Sequence, residues 1–166
     1  MSNLHTDNPI VLHYLMSETI YGFEDSVQYD HPAEIEPTQP LSYLGKNRQG
    51  IVFVVEEDGH DYMSPACFDA FEKTIRALGL GLDDIALFNK HQAQGEVSLA
   101  LLRQELLMTK LVLLGANSLL DGLPQMELNT VTEIATTKIL FSYSFNEMLS
   151  DMDKKKYFWK QLKGLF

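Results

Sequence analysis

The sequence predicts an α/β fold: a three-layer α/β/α sandwich on a mostly parallel four-stranded sheet. Three observations carry this expectation. Short apolar runs of strand length recur along the chain. Two of them, Lys110-Leu-Val-Leu-Leu-Gly115 and Lys138-Ile-Leu-Phe-Ser-Tyr143, are each entered by a lysine, as strands buried on both faces would be. Segments with helical spacing of apolar residues stand between the runs, so strand and helix alternate, the pattern of a parallel sheet flanked on both sides. With 166 residues, one domain can bury a core without staples.

The elements follow in order. Ile10-Val-Leu-His-Tyr-Leu-Met16 is an apolar island after Asn8-Pro9; a helix capped by Asn8 and opened by Pro9 places Val11, Tyr14 and Leu15 on one face. Pro32, Pro37 and Pro40 then punctuate an acidic stretch, and Gly45-Lys-Asn-Arg48 reads as a turn. The chain thus divides into an acidic, partly irregular leader over 1–45 and an α/β domain over 46–166. Gly50–Val55 is the central strand. Ser64-Pro65 opens a helix with Phe68, Phe71, Ile75 and Leu78 on one face, and Gly79 ends it. Asp83–Asn89 is the second strand. A helix over Ser98–Leu107 aligns Leu99, Leu102 and Leu106. Leu111–Leu114 is the third strand, and a short helix starts at Gly115. Glu127–Ile134 reads as a small hairpin or edge strand. Lys138–Ser142 is the fourth strand, and a closing helix covers about Asp153–Leu165, where Lys156-Tyr-Phe-Trp-Lys-Gln-Leu162 has amphipathic spacing.

Charge narrows the function classes. The net charge is −10. Residues 1–45 hold seven acidic side chains and no Lys or Arg, whereas 151–166 hold five lysines and two aspartates. Proteins that live by neutralising phosphates are basic, so weak or no direct DNA binding is expected. The cluster of Lys154, Lys155, Lys156, Lys160 and Lys163 reads as the solvated face of a last helix. No apolar run approaches the roughly 18 residues of a membrane span, and the N-terminus lacks the basic start of a signal peptide. Cys67 is the single cysteine, which excludes an internal disulfide or a four-cysteine metal site. A cytoplasmic location without cofactor or membrane is the expectation.

Sites in parallel sheets lie beyond the carboxyl ends of the strands, where the loops Glu56–Met63, Asn89–Gly95, Gly115–Ser118 and Tyr143–Glu147 are expected to meet. Glu56, Glu57, Asp58, His60 and Asp61 stand where a hydrolase puts a base or a divalent metal; the alternative is a solvated acidic turn. His91 is either a replacement electrophile or a polar loop histidine. Cys67 reads as a packed core thiol rather than a nucleophile. Phe158 and Trp159 beside lysines suit base stacking or, for Trp159, anchoring of the last helix to the sheet. The Val11, Tyr14 and Leu15 stripe is a partner-binding peptide or the fold's own first helix.

From Gly50 onward the pieces resemble the uracil-DNA glycosylase superfamily. Val54-Val-Glu-Glu57 is similar to its strand ending in Gly-Glu, and Ser64-Pro-Ala-Cys-Phe-Asp-Ala-Phe71 to its Gly-Pro-Ala-Gly helix start. Ile75-Arg-Ala-Leu-Gly-Leu80 with Asp84-Ile-Ala-Leu-Phe-Asn89 resembles its helix–strand passage ending in Asn, and Leu113-Leu-Gly-Ala-Asn-Ser-Leu-Leu120 its strand-to-helix turn. Ser142-Tyr-Ser-Phe-Asn-Glu-Met-Leu149 stands where the family carries Tyr-His-Pro-Ser-x-Leu-Leu, and Lys156–Leu162 where it carries Lys-x-x-x-Trp-x-x-Leu. The departures fall on the chemistry. Ser144, Phe145 and Asn146 replace the His-Pro-Ser whose imidazole stabilises charge on the leaving base. Glu56-Glu-Asp-Gly-His-Asp61 lacks the leading Gly and the Pro-Gly pair of the water-activating loop. Asn89 alone matches a base-reading position.

The resemblance therefore implies a glycosylase-like fold without its chemistry. The same description is similar to the psi-type adaptor family of the bacterial DNA polymerase III clamp loader, which uses a flexible N-terminal segment and a folded body to hold protein partners. The expectation is a non-catalytic protein-interaction subunit, with a replication-complex partner if psi-like. Two alternatives stand beside it: a divergent glycosylase or hydrolase using Glu57, His60 and Asn89, and an α/β domain unrelated to nucleic acid.

Overall fold

The computed structural model describes residues 40–115 and 119–166. Among these residues the strands and α-helices are, in order, β1 (Leu44–Gly45), β2 (Ile51–Val55), α1 (Pro65–Ala77), β3 (Ile85–Asn89), α2 (Leu99–Glu105), β4 (Lys110–Leu114), β5 (Thr130–Ile134), β6 (Thr137–Ser142), α3 (Phe145–Ser150) and α4 (Met152–Leu165). The protein is α/β, as expected, but the sheet is not the four-stranded one that its apolar runs predict. It has six strands in the order β1-β3-β2-β4-β6-β5. The four expected strands form its parallel centre, with Ile51 opposite Ile85 on one side and Lys110 on the other, and Lys110 opposite Lys138. Two antiparallel edges complete it: β1 against β3 and β5 against β6. The sequence does not predict β1, because its two residues are too few for periodicity; β5 (Thr-Val-Thr-Glu-Ile) lies within the segment expected as a hairpin or edge strand and is half polar, as an edge is.

All five residues of β2 and all five of β3 are buried, and alternation divides them between two cores. Ile51, Phe53, Val55, Ile85, Leu87, Val112, Leu114 and Leu140 join a core with side chains of α1, α3 and α4. Val52, Val54, Ala86, Phe88, Leu111, Leu113, Ile139 and Phe141 join the other with α2 and Leu120. The centre of the α1 face is Cys67, Phe71 and Ile75, with Phe68 and Leu78 at its margin. Ser64 precedes α1 and Pro65 opens it, but the Ser64 side chain makes no cap bond; Gly79 at φ +77° takes the left-handed step that ends it. Leu99 and Leu102 of α2 and Leu106, which follows it, are all buried.

The Gly45-Lys-Asn-Arg48 turn locks β1 onto β3. A Cβ on Gly45 (φ +103°) would lie 2.1 Å from the Ile85 carbonyl oxygen, so only glycine fits. Asn47 donates its side-chain amide to the Leu107 carbonyl at 2.7 Å, and the Asn47 N–H donates to the Ile85 carbonyl at 3.0 Å. Of the expected leader, 1–39 lies outside the described residues, and with it the stripe of Val11, Tyr14 and Leu15. Its final residues belong to the domain: Leu41 and Tyr43 pack on the α2-side core, and Leu44–Gly45 enter the sheet.

The closing helix spans Met152–Leu165, as expected, but a separate helix, α3, precedes it where the sequence predicts the loop Tyr143–Glu147. Phe158, Leu162 and Leu165 anchor α4, while Trp159 is half-buried at the margin, because the helix rotates Phe158 onto the sheet. The short helix expected from Gly115 falls partly on 116–118, outside the described residues; Leu119 and Leu120 are not helical. Among the described residues no helix is long and apolar enough to cross a membrane.

Candidate functional site

The crest begins where β2 and β3 end. Asn89 closes β3 and is 1% exposed. Its Oδ1 accepts from the N–H groups of Glu57 and His91, both at 3.1 Å. Its Nδ2 donates to the carbonyls of Glu57 (2.8 Å) and His60 (3.0 Å). A carboxamide offers two donors and two acceptor lone pairs, and all four are engaged. Asn89 is the staple that holds 56–60 against the end of β3.

Glu57 is engaged as well. Its Oε2 accepts from the Ser64 N–H at 2.7 Å, immediately before α1, where the helix dipole favours a negative charge. Glu57, His60 and Asn89 therefore do meet, as the sequence suggests, but through backbone groups: His60 contributes its carbonyl and is an exposed residue. The Gln92 side chain donates to that same carbonyl at 3.0 Å. His91 Nε2 lies 3.1 Å from Asp58 Oδ1, with 46% and 89% of the two side chains exposed, a pairing that solvent weakens. Glu56 Oε2 is buried without a hydrogen-bond partner. Among the described residues no three His, Cys, Asp or Glu side chains are placed to hold a metal ion.

Ser144, Phe145 and Asn146 are likewise taken up by contacts within the chain. Ser144 caps α3: its Oγ accepts from the Glu147 N–H at 3.3 Å, and the Ser144 N–H donates back to Glu147 Oε2 at 3.0 Å, a reciprocal capping box. That backbone bond, with help from Lys154, holds the Glu147 carboxyl below the usual glutamate range. Phe145 is buried and continues an edge-on aromatic series: Phe53 to Phe71 at 5.0 Å, Phe71 to Phe145 at 6.0 Å, Phe145 to Phe158 at 5.9 Å. Asn146 Oδ1 accepts from the Cys67 thiol at 3.2 Å. Burial pushes that thiol up and Glu57 adds to the shift, against an opposing hydrogen bond with Ser64.

The sequence matches no protein-family model and no curated protein.

A second surface, unforeseen from the sequence, lies on the helical layer. A groove of about 520 Å³ runs between α1 on one side and α3 and α4 on the other. Ala66, Ala70 and Ala77 form one wall; Leu149, Met152 and Trp159 form the opposite one. Leu149 is 47% and Met152 66% exposed. The spacing of the three alanines was the available signal, but an alanine stripe is equally a well-packed helix contact until the neighbouring helix is placed.

Proposed function

We propose that this chain is a non-catalytic relative of the uracil-DNA glycosylases that works as a protein-interaction subunit, in the manner of a psi-type adaptor of the replicative clamp loader. The observation that carries this reading is the saturation of Asn89. The residue that would read a base has each donor and acceptor engaged by the loop beside it. A flipped nucleotide would have to break those bonds, leaving buried backbone groups unsatisfied at about 1–3 kcal/mol each. Phe145, packed in the aromatic core, supplies no charge stabilisation to a leaving base. The net charge of −10 supports a protein partner over duplex DNA.

An incision assay on uracil-containing DNA tests the loss of chemistry: cleavage by the wild type is expected to equal that of Glu57→Gln, and cleavage above it would return the divergent-enzyme alternative. Mass spectrometry of proteins co-purified from native lysate tests the replication assignment. Clamp-loader subunits are expected; consistent recovery of other partners only would remove that assignment and keep the adaptor reading.

A further inference from the structure

Given the interaction-subunit reading, on which this inference rests, we infer that the groove between α1 and α4 is the docking site for an acidic amphipathic helix of a partner protein. Shape argues for a helix. Both walls are helical, and the small side chains at Ala66, Ala70 and Ala77 let a third axis approach to about 8–10 Å. Chemistry argues for an apolar stripe on it. Met152 and Leu149 stand in solvent at the lip, and Trp159 and Met152 are the side chains that interfaces favour, one rigid and broad, one adaptable.

Charge argues for acidity. Lys73, Lys155 and Lys156 line the groove against a single carboxylate, Asp69. Lys73 is paired with Asp69 at 2.6 Å and Lys156 approaches Asp153 at 3.9 Å; Lys155 has no carboxylate within ion-pair distance among the described residues. On a chain of net charge −10 a rim with three lysines, Lys155 unpaired among them, favours an acidic helix over a basic one. A second copy of the chain would bring its own net negative charge to the contact and is the less favoured occupant.

The test uses the full chain and a displayed library of helical peptides with randomised apolar and polar faces. Selected peptides are expected to carry apolar residues at i, i+3, i+4 and i+7 with Asp and Glu in excess beside them. A synthetic representative should bind the wild type and lose about tenfold in affinity to Lys155→Glu/Lys156→Glu, and comparably to Met152→Glu, with both variants keeping the wild-type unfolding midpoint. Binding should also weaken as salt is raised. Selection of no binder, of binders without acidic excess, or of binders indifferent to both variants overturns the groove assignment. So does sedimentation showing a dimer that Met152→Glu dissolves. Binders indifferent to the groove variants would leave the adaptor reading standing, whereas uracil excision would remove that reading whatever the peptides do.

Discussion

At the strand crest, polar groups are engaged by the chain's own backbone: Asn89 staples a loop, the Glu57 carboxylate holds the approach to α1, and Ser144 caps α3. In the groove between α1 and α4 the situation is reversed, and apolar side chains such as Met152 remain in water. A hydrogen-bonding group with all its valences filled contributes stability and has little left to offer a ligand, whereas exposed apolar surface gains free energy when it is covered, at roughly 25 cal/mol per Å². The contrast teaches that residue type alone misdirects. Carboxylates, histidines and an asparagine at a crest attract attention, but bonding decides what they do.

The strongest way to break the comparison is to cut beneath the crest. Phe71 is fully buried and touches both Phe53 and Phe145, so Phe71→Ala should cost about 3–5 kcal/mol in chemical denaturation; a loss under 1 kcal/mol would show that the aromatic series is not core. Next comes Asn89→Ala, expected to destabilise by about 2–3 kcal/mol because it orphans backbone groups of Glu57, His60 and His91. If Asn89 were instead held for ligand contact, stability would barely change, and that outcome would reopen the enzyme alternative.

Glu147→Gln should cost about 0.5–1 kcal/mol at neutral pH, as expected for a solvent-screened capping box. Because the folded-state carboxyl titrates below the ordinary glutamate value of 4.5, its contribution is fully present above that value. It is lost as the pH falls through the depressed folded-state value, so wild type and variant should converge in acid. Thermal melts from pH 7 down to about 3 would read this, and a difference that grows in acid would contradict the sign. The smallest effect is expected at the groove lip: Met152→Glu should change folding stability by no more than about 0.5 kcal/mol, since Met152 contributes little to the domain's own core. A larger loss would make the groove part of the fold and remove the contrast.

The local chemistry of the chain determined most of its elements. Runs such as Ile51–Val55 and Leu111–Leu114 are buried on both faces, so continuous β-branched and leucine character is enough to declare a central parallel strand. Proline and glycine at the two ends of α1 marked its limits for backbone reasons that need no partner. Tertiary structure decided what depends on neighbours far along the chain. Two residues become β1 only because Ile85–Asn89 offers an open edge and Gly45 permits the approach; Thr130–Ile134 becomes part of the sheet by pairing with β6. The rotation of α4 set Phe158 inward and Trp159 at the margin, which periodicity leaves ambiguous for adjacent aromatics. Above all, Glu57, Asn89 and Ser144 have donors and acceptors whose use is fixed by which backbone groups the fold brings within about 3 Å. A sequence names the valences; only the packed chain says which are filled.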